Sequence, residues 1–120
     1  ADIKINLESF NNLMDQSSPP YIFVYTQDTP EADIQARMCA PLAGTTEDPA
    51  TGSANCALAA LLAQHADLAN GDFCWEVLQG AEMGRRSRLR IRAKKENGTV
   101  TGSWVAGSCA MVAEGAIESP

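Results

Sequence analysis

Residues 44–66 read GTTEDPATGSANCALAALLAQHA, a polar loop of acids, glycines and small hydroxyls that runs straight into an almost wholly apolar helix. From Ser53 onward, Ala54, Cys56, Ala57, Leu58, Ala59, Ala60, Leu61, Leu62 and Ala63 leave only Asn55, Gln64 and His65 as polar breaks. A helix that is apolar on all sides belongs inside a protein, so this one is expected at the centre of the fold with other elements around it. A membrane span needs about 20 apolar residues. This run is well short of that and has a charged loop ahead of it.

The loop carries the chemistry. A helix N-terminus exposes unsatisfied N–H groups and a partial positive charge, and the small residues Thr51, Gly52, Ser53 and Ala54 would let a carboxylate or phosphate come close to the backbone. Glu47 and Asp48 lie just upstream, where Pro49 restricts its own backbone and biases Asp48 toward an extended conformation. An acid is thereby presented beside an anion site. The same residues also suit an ordinary N-terminal cap, with Asp48, Thr51 or Ser53 bonding the free amides, and on spacing alone that cap is the favoured reading.

Outward from the motif, the chain alternates short elements. Asn6 caps a short helix running to residue 16, with Leu7, Phe10, Leu13 and Met14 at helical spacing, and Ser17, Ser18, Pro19 and Pro20 end it. Strands are expected at residues 21–26, at 34–39 before Pro41, and at 73–78 after the Asn70–Gly71 stop. Residues 89–93 and 100–105 form a hairpin around Asn97 and Gly98, and a last strand pair at 109–112 and 116–117 closes the sheet. Seven of the nine basic residues fall between Arg85 and Lys95. Arg86, Arg88, Arg90, Arg92 and Lys94 recur at every second position while Leu89, Ile91 and Ala93 face the other way, the pattern of a strand with one wet, cationic face. That face is solvated or pairs with acids; phosphate or RNA binding is the competing reading. The other two basic residues stand against all fifteen acids, a segregation that would permit self-association of the strip with an acidic surface.

The strings RMCAPLAGTTEDPATGSANCALAALLA, LQGAEMGRRSRLRIR and VTGSWVAGSCAMVAEGAI, in this order and spacing, strongly resemble the C-terminal half of the phenazine-biosynthesis PhzF-like isomerase family, relatives of diaminopimelate epimerase. The resemblance implies an α+β lobe in which a mixed, mostly antiparallel curled sheet wraps one central apolar helix, with the active site in a cleft between two similar lobes. It implies a cofactor-free proton shift on a small carboxylic acid, a dihydro-hydroxyanthranilate in the phenazine enzyme, with a first-lobe glutamate as general acid/base. By resemblance Asp48 is the second-lobe active-site aspartate, Ser53 a substrate-contacting serine, and Thr51 with Gly52 the anion-cradling turn. Glu47, Gln79 and Gly80 complete the expected substrate-contacting set, although Gln79 and Gly80 also read as a strand end and a turn. The chain departs from the family in having less than half its usual length, nothing resembling the first-lobe glutamate motif, and Arg86 where the family usually has proline.

Composition sets the remaining bounds. One domain over residues 1–120 is expected, with 45% hydrophobic residues to build a modest core. A formal charge of −6 and a pI near 4.6 argue against a general nucleic-acid binder. Cys39, Cys56, Cys74 and Cys109 are widely spaced, with no C-x-x-C pair and no histidine cluster, so no metal is expected and the cysteines read as buried thiols in a reducing cytoplasm. His65, the only histidine, suits the helix C-terminus. Arg37 either points at the cleft or pairs with Glu47, and Trp75 and Trp104 read as core or lobe-interface anchors. The opening residues lack a secretory pattern, and the absence of an initial Met suggests truncation or separate coding of the lobes. Three functions follow. The chain is an isomerase lobe completed by a first-lobe chain, a homodimeric module that binds a small carboxylate without turnover, or a folded fragment without activity. Neither nucleic acid nor membrane is expected as a partner.

Overall fold

A computed structural model describes residues 4–13 and 21–118. Helix α1 (Leu7–Leu13) opens on the expected cap, the Ser9 amide donating to Asn6 Oδ1 at 2.9 Å, and buries Phe10. Its expected extension to residue 16, with Met14, and the stop at Ser17–Pro20 lie outside the described residues. Then come β1 (Ile22–Thr26), β2 (Ile34–Cys39), a single 3-10 turn (Pro41–Ala43), the two-residue β3 (Glu47–Asp48), α2 (Gly52–His65), β4 (Gly71–Gln79), β5 (Ser87–Glu96) and β6 (Thr99–Gly107).

The fold is α+β. Its sheet runs β1-β2-β4-β5-β6 with β3 beside β2, and every pairing is antiparallel except β2 with β4, which are joined by the crossover through α2. Because β1 occupies one edge of β2, both β3 and β4 must use the other. β4 pairs as far as Ala36↔Gln79, and β3 takes over at Met38↔Asp48. The motif strand therefore continues the place in the sheet that β4 vacates.

Alternation decides which side each strand buries. Ile34 and Ala36 of β2, Val77 of β4 and Ile91 and Ala93 of β5 form one core cluster with Leu58, Ala59 and Ala63 of α2. The alanines on both partners let the helix lie close to the sheet. The outer parity of β5 is the cationic strip, as its period demanded: Arg88, Arg90, Arg92 and Lys94 are all exposed. Acids hold much of it. Arg86 pairs with Glu31, Arg88 with Glu76, and Lys94 with Glu96 at 2.6 Å. The β5–β6 turn is the expected hairpin, with Asn97 and Gly98 both at positive φ (51° and 78°), the geometry that matches the strand twist.

Three expectations are corrected. The sheet covers only one side of α2: Leu58, Ala59 and Ala63 are buried, whereas Ala57 is exposed and Leu61 remains 48% exposed. An open sheet has one concave side to offer, so an all-round apolar helix retains an uncovered face. No strand forms at 109–112 or 116–117; Met111, Val112 and Ile117 stand in water because the chain past β6 pairs with nothing described. Of the four thiols only Cys39 is buried and Cys56 is half-buried. Cys74 falls on the outward parity of β4, and Cys109 lies beyond the sheet. Trp75 is half-buried and stacks on Phe73, but Trp104 is 45% exposed, folded back over Gly102 with Arg92 4.3 Å above its ring. Among the described residues no helix is long and apolar enough to cross a membrane.

Candidate active site

The junction between β3 and α2 is organised by four polar side chains. Thr51 is the N-cap of α2, with extended backbone (φ −99°, ψ 107°), yet no side chain among the described residues caps the helix. Its hydroxyl turns away from the amides and donates to Asp48 Oδ2 at 2.7 Å. Gln79, fully buried at the end of β4, faces the loop: its Nε2 donates to the Asp48 carbonyl at 2.8 Å and to Thr51 Oγ1 at 3.0 Å, and its Oε1 accepts from the Thr51 amide at 3.2 Å. Asn55, also fully buried, sends Nδ2 to the Thr51 carbonyl at 2.7 Å and to Gln79 Oε1 at 2.8 Å. Asn55 Oδ1 has no hydrogen-bond partner among the described residues.

Gly80 closes the arrangement. At φ +73° it takes a conformation that favours glycine, and a Cβ there would run into the Arg85 carbonyl and lie 3.0 Å from Pro49. This close approach places the turn after β4 directly against the motif loop. The turn itself is closed by the Arg85 amide on the Gly80 carbonyl at 2.9 Å, so it forms without the family's usual proline.

The two acids of the motif are separated by strand alternation. Glu47 sits opposite Cys39, on the face away from α2, and its carboxylate grips Arg37 through two bonds, Nε at 3.0 Å and Nη2 at 2.9 Å. Bidentate geometry and partial burial make this the strong form of an ion pair, and the Glu47 hydrogen bond holds Arg37 above its ordinary pKa. Burial, and secondarily the Glu47 charge, push the neighbouring Cys39 thiol up. Asp48 takes the opposite parity, facing the helix end. Of the residues the sequence singled out, the structure thus brings together Asp48, Thr51, Gln79 and Gly80, with Gly52 and Ser53 exposed on the first turn of α2, and sets Glu47 apart with Arg37.

Sequence reasoning missed Asn55, whose only signal was its polarity on a buried helical face. It also missed Lys95, which sits on the inward parity of β5 and donates from Nζ to the Gln64 and Ala66 carbonyls at 3.1 and 2.9 Å, closing the C-terminal end of α2. His65, in the last turn, is exposed.

The site is open on this chain. Surface clefts of about 360, 330 and 240 Å³ lie elsewhere: beside Arg88 and Arg90, between Tyr25 and Glu82, and between α1 and β1. Among the described residues no three His, Cys, Asp or Glu side chains gather where they could hold a metal ion.

An uncapped helix end presented beside an aspartate by a DPATGSA loop agrees with the comparison to known families, in which the phenazine biosynthesis-like protein family, PhzC-PhzF, matches residues 2–115. The chain belongs to that family. Trans-2,3-dihydro-3-hydroxyanthranilate isomerase of Pseudomonas aeruginosa is 43% identical over 81 residues, covering 68% of this chain and 29% of the relative. The enzyme of the same name from Pseudomonas chlororaphis is 39% identical over 83 residues, 69% of this chain and 30% of the relative. An uncharacterized isomerase of Mesorhizobium japonicum is 32% identical over 96 residues, 80% of this chain and 32% of the relative. The chain therefore spans about a third of the length of these PhzF-family relatives.

Proposed function

We propose that this chain is one lobe, over residues 1–120, of a PhzF-like isomerase that moves a proton on a small carboxylic acid without a cofactor, and that it works only when a companion lobe covers the Asp48 face. One observation carries the reading. Thr51 gives its hydroxyl to Asp48 rather than to the helix, so the first-turn amides of α2 are left without a side-chain cap beside an oriented carboxylate. In this reading the amides at Gly52 and Ser53 and the Ser53 hydroxyl bind the substrate carboxylate, using the partial positive charge of the helix end. Asp48 exchanges the proton, and Gln79 and Gly80 hold the loop in place. Proton transfer along a conjugated acid requires groups on both sides of the migrating proton, and one lobe supplies one side. The Glu47–Arg37 pair lies behind the loop and steadies it.

The test is complementation. Mixed with a first-lobe chain of the family, this chain should catalyse deuterium exchange into trans-2,3-dihydro-3-hydroxyanthranilate, and Asp48→Asn should abolish it. Absence of exchange with every first-lobe partner tried would count against the reading.

The uncovered apolar side of α2, with Leu61 half exposed, favours a second arrangement in which two copies pair and bind a small carboxylate without turnover. Light scattering separates the two: a monomer at all concentrations removes the homodimeric module. Titration with small carboxylates, followed at the Gly52 and Ser53 amides, tests the anion site in either case.

A further inference from the structure

We propose that the cleft beside Arg90, among the outward side chains of β5, is a second ligand site that takes the carboxylate of a small organic acid. It is separate from the β3–α2 junction and does not depend on the chemistry there.

The cations along the outer parity of β5 are engaged with one exception. Arg86 pairs with Glu31 and Lys94 with Glu96. Arg88 pairs with Glu76 and also donates to the Glu31 carbonyl at 3.1 Å. Arg92 lies over the Trp104 ring. Arg90, in the middle of the row, is exposed and has no hydrogen bond, ion pair or ring contact among the described residues.

Register explains the exception. Glu76 stands directly opposite Arg90 on β4, but its carboxylate reaches diagonally to Arg88, whose guanidinium is held from two sides. On the other flank β6 sets Ala106 opposite Arg90 and Trp104 opposite Arg92. A methyl therefore leaves open beside Arg90 the space that an indole fills two positions along. The result is an unoccupied guanidinium fork in a cleft of about 360 Å³, lined as well by Glu76, Arg88, Ala106, Gly107 and Ser108.

The charges select the ligand. Arg88 and Arg90 against Glu76 leave the lining with a net of one positive charge. One planar carboxylate matches it, because the free fork can donate two parallel bonds and Ser108 brings a hydroxyl donor to the same cleft. A dianion such as phosphate would set its second charge against Glu76. A polyanion or an acidic protein surface needs a row of free cations, and this row offers one. The volume falls within the range of small-molecule sites, roughly 300–1,000 Å³.

The test uses the free chain, labelled with nitrogen-15 and titrated with benzoate at constant ionic strength, with benzamide and inorganic phosphate as comparison probes. Benzoate should give saturable shifts at Arg90 Nε and at the Gly107 and Ser108 amides, benzamide none, and phosphate should bind more weakly. Arg90→Gln changes an exposed side chain, so the urea midpoint should hold while benzoate binding at the cleft weakens at least about 10-fold. Responses at the Gly52 and Ser53 amides should stay as in the parent, which keeps the fate of this site apart from that of the proposed isomerase site. Shifts that do not saturate, benzamide acting like benzoate, phosphate binding more tightly, or undiminished binding by Arg90→Gln each overturn the proposal. Cleft resonances that move on dilution without benzoate, and cease to move in Arg90→Gln, would give the cleft to an acidic side chain of a second copy and overturn the assignment to a free acid.

Discussion

At Gly80 a single hydrogen stands where any side chain would meet the Arg85 carbonyl, and the residue's left-handed backbone adds a second restriction. Gly80→Ala should destabilise the fold by about 1–3 kcal/mol, read from the urea midpoint. Gln79→Leu should cost at least about 2 kcal/mol, because it strips partners from the Thr51 amide, the Asn55 amide and the Asp48 carbonyl together. Cys39 supplies a pH signature. Its folded thiol titrates above the ordinary value, so the stability that comes from keeping it neutral is fully present below the unfolded thiol value of about 8.5 and is lost as the pH rises through the folded one. Cys39→Ala should flatten that alkaline loss in thermal unfolding monitored by circular dichroism. Much of this scale was legible in the chain: Asp48, Thr51 and the small residues after it marked where the central helix begins and which acid stands beside it. The network behind it was not, because Gln79 reaches Thr51 and Asp48 across the whole helical crossover and carries no local mark of doing so.

The elements were legible wherever a period ran long enough to count. Strand β5 shows its two faces over ten residues, and the hairpin turn carries its own chemistry in Asn97 and Gly98. The two-residue β3 has no period at all, and the separation of Glu47 from Asp48 onto opposite faces is set by its pairing with β2. Lys95 shows the opposite case. Two positions past Ala93, it shares the buried parity, and that alone marks it as a cation brought inward. Lys95→Met should destabilise the protein by about 1–2 kcal/mol, since it leaves helix-terminal carbonyls without their cation, while Lys94→Met on the wet face should leave the urea midpoint unchanged. Gly102→Val should displace Trp104 from its place beneath Arg92, visible as a shift in tryptophan emission without loss of the sheet.

For the whole molecule, the α+β class was what the family resemblance implied and the interior helix followed from one apolar stretch, yet the extent of cover did not, because hydropathy records what a helix would bury and says nothing of whether enough strands are present to bury it. The same shortfall explains the tail. Residues 108–118 pair with neither edge of the described sheet, so limited digestion with a glutamate-specific protease should cut at Glu114 before any site in the sheet. The central helix, by contrast, is anchored at both tips, by Asn55 and Gln79 at one and by Lys95 at the other, with the Gln64 amide reaching the Gly98 carbonyl at 3.3 Å. A rod fastened fore and aft can neither slide nor turn by a residue without breaking buried bonds. A ligand arriving at the Asp48 end would meet a surface already set in place, and the motion of fitting would be its own.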